Sequence, residues 1–318
     1  MCDVVPYRAT ISLRSTVKRI PLAGVTYAKL SRGLNIARSI SSPYLRTFPA
    51  GHYYSPLPDR DALSGAHGLD RSTRDVAGVE LRESAQLETL DRIASFHADV
   101  PFPRDPSPGH RYHSDNVFFA IGDAIVLQAM LRLHRPRRVI EAGSGYSSGA
   151  MLDTDDRFLD GSVEFTFIDP YPQRLLSLLS SGDRARCTIR KSGVQHVDME
   201  LFSTLEENDI LFIDSSHVVK VGSDVDYLLA EILPQLRVGV LVHFHDVFWP
   251  FSYPEEWFRT GTAWNESFFL RSFMQYNTAF RIEYFNSYMA TVHRTKVFAK
   301  APRCLEDPGG SLWIRRVA

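Results

Sequence analysis

RRVIEAGSGYSSG, residues 137–149, is a short apolar run that ends in two glycines one residue apart and then passes into a hydroxyl-rich segment. The run reads as a buried type of strand. Gly143 and Gly145 let the backbone turn sharply and let a ligand approach without a Cβ clash. Ser147 or Ser148 can cap a helix that follows. The stretch is not GxxxxGK[ST], so it is no phosphate-cradling loop of that kind. The full GxGxxG spacing is absent too, because position 148 is Ser and the third glycine comes at 149. A strand, a glycine turn and a helix in that order are the start of an α/β unit.

Working outward, the same pattern recurs. SVEFTFIDP (162–170) is a second strand ending in Asp169, and CTIR (187–190) a third, weaker one. NDILFIDSSH (208–217) is a strand ending in Asp214, residues 224–236 read as a helix, and VGVLVHFHD (238–246) is a strand ending in Asp246. FRIEYF (280–285) and SLWIRRV (311–317) are strands near the end of the chain. Short apolar strands alternating with helical stretches predict a parallel sheet with crossover helices. Upstream, apolar spacing predicts helices over 80–97 and 116–134, separated by the proline-rich linker PFPRDPSPG (101–109). Residues 1–45 are basic, with no acid after Asp3. They read as a solvated extension or as an arm that docks, dimerises or forms part of a lid.

In an open α/β sheet, ligands bind beyond the carboxyl ends of the strands, near the point where strand order reverses. Those ends read EAGSG, IDP, IDSSH and HFHD. An acid at the second strand end, here Asp169, can accept hydrogen bonds from both ribose hydroxyls of an adenosine group. VIEAGSGYSSG followed by FIDPYP resembles the first two motifs of class I S-adenosylmethionine-dependent methyltransferases. DILFIDSSH and VGVLVHFHDVFWPFSYPEEW resemble a bacterial branch of that family, whose strands end in Asp-x-x-His and His-Asp. FPAGHYYSPLPD and GGSLWIRR also look like segments of that branch, so the resemblance runs from about residue 48 to the end.

The resemblance implies a Rossmann-like α/β fold. Its seven-stranded, mostly parallel sheet would end in an antiparallel C-terminal hairpin. The expected division is an N-terminal helical and loop extension over 1–110 and a cofactor-binding domain over 111–318. It further implies that Glu141, Gly143, Ser144 and Gly145 touch the methionine end of S-adenosylmethionine, with Asp169 on its ribose. Asp214 joins the cofactor set, and residues 194–197 flank the adenine.

Methyl transfer is an in-line displacement in which the cofactor supplies the electrophile. The protein positions the nucleophile and often removes its proton. Histidine is the natural base near neutral pH. The expected catalytic set is therefore His245, Asp214, His217 and Asp246. His245 ranks above His243 because it lies nearer the strand's carboxyl end, and His243 reads as a half-buried strand histidine. Asp214, His245 and Asp246 could also hold a divalent metal such as magnesium. The aromatic and proline-rich segments 248–257 and 51–55 read as a wall and lid over the pocket, with His52, Tyr54, Trp249 and Tyr253 facing substrate. Glu266 starts a helix and either faces the pocket or caps.

Bulk properties narrow the function classes. The formal net charge is -1 over 318 residues, which gives no global field for nucleic acid or anionic membrane. The three cysteines, Cys2, Cys187 and Cys304, form no CxxC pair, so a zinc cluster or disulfide framework is not expected and a reducing cytoplasm fits. No apolar run approaches the roughly 20 residues of a membrane span. The expectation is a methyltransferase acting on an oxygen or nitrogen of a small molecule, with no membrane partner and no nucleic acid. The basic arm would suit a homodimer. The alternatives are a metal-dependent enzyme such as a hydroxylase on the same fold, or a non-catalytic partner subunit.

Overall fold

The computed structural model describes residues 42–43, 47–59 and 73–318, so the basic arm from Arg8 to Arg38 lies outside the described residues. The chain divides into two units, Met1–Ser64 and Gly65–Ala318. In the first, Phe48 stacks on His52 at 4.9 Å and the Tyr54 ring lies 5.3 Å from Phe48. His52 Nδ1 accepts the Tyr54 backbone N–H at 3.1 Å.

The second unit is built on seven strands. They are β1 (Arg138–Ala142), β2 (Glu164–Ile168), β3 (Cys187–Arg190), β4 (Ile210–Ile213), β5 (Leu241–Phe244), β6 (Phe280–Phe285) and β7 (Leu312–Arg316). Their order in the sheet is β3-β2-β1-β4-β5-β7-β6. The first five pair in parallel, and β7 runs antiparallel to both β5 and β6. Every residue of β4 and β5 is buried, as expected of strands covered on both faces. Strand order reverses at β1, with β2 on one side and β4 on the other. A crevice therefore opens beyond the ends of these strands.

Three helices precede or follow the first strand: α1 (Glu83–Ala94), α2 (Ile121–His134) and α3 (Tyr146–Phe158). α2 begins five residues later than the apolar spacing predicts. The Asn116 carboxamide oxygen accepts the backbone N–H groups of Phe118 and Phe119, at 2.9 and 2.8 Å, and holds them in a turn. α1 buries Leu90 and Ile93 in the same core as the sheet, and Arg82 just before it donates to the Ile282 carbonyl of β6 at 3.0 Å. The compact unit thus begins well before the expected boundary at 110/111. The proline-rich stretch does not separate two bodies, because Phe102 is buried 4.8 Å from the Tyr112 ring. Arg111 then pins the chain to α3 through Asp153 and Asp156, both at 2.8 Å.

Two elements depart from expectation. Residues 224–236 form a short α-turn (Asp224–Tyr227), a wider π-turn (Leu228–Ile232) and a 3-10 turn (Leu233–Gln235) rather than one α-helix. Pro234 has no N–H for the i to i−4 ladder, which accounts for the change of winding. β6 and β7 pair antiparallel, but two helices, Asn286–Val292 and Arg294–Lys300, lie in the connection between them.

Candidate functional site

The glycine turn is built from inside the fold. Gly143 has φ +90°, and a Cβ there would lie 1.7 Å from the Asp214 carbonyl oxygen. Gly143 N–H donates to the Ile168 carbonyl at 2.9 Å, and Asp214 N–H donates to the Ala142 carbonyl at 2.8 Å. Glycine is thus required by the close approach of the β1 and β4 ends, whatever ligand lies above.

Glu141 is fully buried and accepts the hydroxyls of Ser147 and Ser148, each at 2.5 Å. Ser148 Oγ in turn accepts Gly145 N–H at 3.0 Å. Burial pushes the Glu141 carboxyl up to about 8, outweighing the two serine bonds that pull it down. The structure departs here from the expectation that Glu141 touches the cofactor: it is fully buried, does not line the pocket described next, and holds the turn through the two serines. Gly145 is also screened from the crevice, since the Arg174 side chain lies over it and a Cβ there would meet Arg174 Cδ at 2.9 Å.

A pocket of about 510 Å³ opens beyond β1, β2 and β4, with Gly143, Ser144, Asp169, Gln195 and Asp214 among its walls. Asp169 Oδ2 accepts Ser144 Oγ–H at 2.7 Å and Oδ1 accepts the Tyr171 backbone N–H at 2.6 Å. Each oxygen keeps a lone pair for a further donor. Val194 and Gln195 line the wall, whereas His196 and Val197 do not. Gln195 Oε1 and Ser215 Oγ are buried without a partner, and both residues line this pocket. Buried polar atoms normally find partners. Two orphans beside a free-faced carboxylate fit a polar ligand with ring nitrogens and a ribose, as an adenosyl cofactor has.

Asp214 is where this pocket meets a second, buried array. His217 Nε2 lies 3.5 Å from Asp214 Oδ1 and 3.7 Å from Asp246 Oδ2, and its Nδ1 is 2.8 Å from Glu266 Oε2. Three carboxylates thus surround one imidazole, which also packs on Trp264 at 4.4 Å. Burial alone would push the His217 pKa down, but its bonds to Asp214 and Glu266 overcome this and raise it well above 6.5. Asp214 is held below the usual carboxylate range: burial lifts it, but His245, His217 and Arg174 pull it further down.

His217 and Asp246 both sit at positive φ, 58° and 55°, a backbone state held only where surrounding contacts enforce it. For His217 those contacts are visible. Its carbonyl accepts the N–H groups of Asn265 and Glu266, at 3.1 and 3.2 Å, and so caps the helix Glu266–Met274. The Asn265 carboxamide binds Val219 N–H and the Val219 carbonyl, stapling the loop after β4 to this helix.

His245 is buried against the Phe119 ring. Its Nδ1 stands 3.9 Å from Asp123 Oδ2 and its Nε2 3.8 Å from Asp246 Oδ1. Burial lowers its pKa, but Asp246, Asp214 and Asp123 together outweigh that and raise it. This runs against a role as proton acceptor, since the surroundings favour the imidazolium. His243 is fully buried, stacked 3.7 Å from Phe212, and far below 6.5 because of burial and the neighbouring His245. Ser311 donates to Asp123 at 2.6 Å and so must accept from His243 Nε2–H at 2.8 Å. Asp123 was missed in the sequence because it sits mid-pattern in an apolar helix. The one signal was an acid at a position whose neighbours all face the core.

Of the expected site residues, Ser144, Gly143, Asp169 and Asp214 line the pocket; His217 adjoins Asp214 without lining it, and Asp246 stands between His217 and His245. Trp249 and Tyr253, expected to face substrate, are core residues, each 1% exposed. The Trp249 indole donates to the Thr73 carbonyl at 3.0 Å, and Tyr253 Oη accepts Ser267 N–H at 3.1 Å. Their polar ends are consumed in holding the loop after β5. His52 and Tyr54 belong to the other compact unit.

The trio Asp214, His245 and Asp246 does not fit a metal. Among the described residues no group of three or more His, Cys, Asp or Glu side chains is arranged to hold one. The reason is geometric: the Asp214 and Asp246 carboxylates converge on the His217 ring, and His245 Nδ1 turns toward Asp123.

Residues 140–247 match the model of a family described as a methyltransferase domain. They run from within β1, through the glycine turn, Asp169 and Asp214, to the residue after Asp246. These residues carry a methyltransferase domain. A protein of Archaeoglobus fulgidus, itself uncharacterised, is 31% identical over 186 residues, covering 57% of this chain and 82% of that one. Among solved structures, the Podospora anserina methyltransferase PaMTH1 bound to S-adenosylhomocysteine is similar at 16% identity and TM-score 0.39, over 74% of this chain and 94% of that one. An O-methyltransferase from Bacillus cereus, also with S-adenosylhomocysteine, gives 14% identity and TM-score 0.39, over 72% and 90%. No helix among the described residues is long and apolar enough to cross a membrane.

Proposed function

We propose that this methyltransferase moves the methyl group of S-adenosylmethionine to an oxygen or nitrogen of a small molecule, in a site where Asp214 joins the cofactor pocket to the buried charge array. The observation that carries the reading is the pocket beyond β1, β2 and β4. It combines the double acceptor Asp169 with the orphaned Gln195 Oε1 and Ser215 Oγ.

When bound, the cofactor supplies an electrophilic methyl on a sulfonium. The chain's own residues hold and orient. Asp169 accepts the ribose hydroxyls in place of part of their water shell. Gln195 and Ser215 offer an acceptor and a hydroxyl to the base end. Asp214, anionic before the reaction, accepts the O–H or N–H of the incoming nucleophile, fixes its lone pair, and takes the proton released as the methyl is transferred, passing it on to water. His217 holds its proton between Asp214 and Asp246, which keeps Asp214 a fixed anion rather than a group that picks up a proton on burial. His245 does the same from the other side of Asp246. The work is orientation and preorganised charge more than proton abstraction by histidine.

Calorimetry with S-adenosylhomocysteine tests this. Asp169→Ala removes two charge-assisted acceptors, each worth about 1.5–3 kcal/mol, so affinity should fall roughly 100-fold or more. Folded wild-type protein that takes up no S-adenosylhomocysteine overturns the reading.

A further inference from the structure

The pocket wall carries two cations, Arg174 and Lys220, and three carboxylates, Asp169, Asp214 and Asp224. Asp169 and Asp224 are hydrogen-bonded to Ser144, Tyr171 and Ser216, and Asp214 faces His217. Arg174 has no carboxylate within ion-pair distance among the described residues, yet it is held in place. Its guanidinium stands 3.5 Å from the centroid of the Phe118 ring. Phe118 in turn stacks on Tyr146, the first residue of α3, at 6.1 Å and 12°. The methylenes of Arg174 lie over Gly145. The three-layer stack also explains why Phe118 stands half out into solvent, at 49% exposure, beside the pocket mouth.

We propose that Arg174 binds the carboxylate of the cofactor's methionine portion, an inference that rests on the pocket taking S-adenosylmethionine. That molecule brings a sulfonium and an ammonium, for which the wall has carboxylates, and one carboxylate, which needs a cation. The cation must stand at the glycine-turn end, and Arg174 is the one that covers that turn. Lys220 belongs to the loop of Gly222 and Ser223, whose Gly222 carbonyl accepts Gln195 Nε2–H at 3.3 Å, and no contact among the described residues places it over the glycine turn. A guanidinium presents two parallel N–H groups to a carboxylate. Holding it on an aromatic face before the ligand arrives lowers the ordering cost of binding.

The experiment compares S-adenosylhomocysteine with its decarboxylated analogue, S-adenosyl-3-thiopropylamine, by calorimetry on wild type, Arg174→Gln, Lys220→Gln and Phe118→Ala. Charge-assisted pairing predicts that Arg174→Gln weakens S-adenosylhomocysteine about 10-fold or more and leaves the analogue within about twofold. Lys220→Gln should keep the discrimination between the two ligands, and Phe118→Ala should lose part of it. Equal loss for both ligands in Arg174→Gln, or no loss for either, overturns the assignment. Wild type that binds both ligands equally overturns the assignment alone. Wild type that binds neither overturns the cofactor reading and the assignment with it.

Discussion

Replacing Glu141 by Gln should make the protein more resistant to alkali, and the structure sets the size of the effect. Glu141 is buried under α3, with both oxygens on serine hydroxyls. Its carboxyl titrates near 8 in the fold, against an ordinary 4.5. A group whose folded pKa is raised lends stability that is fully present below the unfolded pKa and is lost as pH rises through the folded one. Here the native state binds the extra proton between about 4.5 and 8, so stability falls across that window by about 1.4 kcal/mol per pH unit. Glutamine is close in shape and stays neutral. Its oxygen can accept Ser148 Oγ–H, and its amide can donate to Ser147 Oγ. Urea unfolding of both proteins at several pH values from 5 to 8 gives the stability difference directly. The advantage of Glu141→Gln should grow by about 4 kcal/mol across that range. Asp123, raised to about 6, contributes in the same direction but is common to both proteins and cancels. A difference that stays flat across the series would mean that Glu141 ionises normally in the fold, and the account of the turn as a protonated carboxyl under two serines would be wrong.

Gly143→Ala puts a Cβ 1.7 Å from the Asp214 carbonyl and forces a left-handed backbone at φ +90° on an L-residue. It should cost at least about 3 kcal/mol and abolish S-adenosylhomocysteine binding, read by thermal melts and calorimetry. His217→Ala leaves Asp214, Asp246 and Glu266 without their shared cation, a loss of about 3–5 kcal/mol for a broken buried pair. Adding Glu266→Gln should recover part of it, and strictly additive losses in the double-mutant cycle would count against coupling. Because the His217 pKa is raised, its contribution is full below about 6.5 and fades as pH rises through its folded value, so the cost of His217→Ala should be largest in acid. Treatment with a strong chelator followed by metal-free buffer should leave both S-adenosylhomocysteine affinity and methyl transfer unchanged. Loss of either, restored by magnesium, would show that Asp214 and Asp246 can leave His217 for a cation.

The sheet was legible because its strands are continuous apolar runs with polar ends, and that pattern survives burial on both faces. Asp169 was legible for the same reason: it ends a strand at a fixed distance from a glycine turn. The roles of Glu141 and Trp249 were not. Glu141 ends an apolar strand just as Asp169 does, and nothing in the local sequence says whether a strand-end carboxylate looks up into the crevice or back under the helix. Ser147 and Ser148 decide it: Ser148 caps the helix as its sequence position suggests, and both hydroxyls also donate to Glu141. Trp249 and Tyr253 have the composition of a pocket wall, but Thr73 and Ser267 take their polar ends inward, and those partners are 176 and 14 residues away.

The array around Asp214 shows why composition at strand ends overstates metal binding. Four acids, Asp123, Asp214, Asp246 and Glu266, stand near two histidines, His217 and His245. Counted by residue type, this is a generous ligand set. Counted by direction, each carboxylate already faces an imidazole edge. Buried carboxylates that close together cannot all stay ionised without cations among them. A divalent ion would answer that need, and so would protonated histidines, whose pKa values the same carboxylates raise. The histidine solution differs in its consequences. An imidazolium donates along two fixed N–H directions, and on His217 these face Glu266 and Asp214, so it orients both even before any ligand binds. On the proposed reading, Asp214, which also lines the pocket, then takes a hydrogen bond from the nucleophile. The two histidines that looked like candidate bases in the sequence help hold Asp214 below the usual carboxylate range, while burial still lifts Asp123, Asp246 and Glu266 above it.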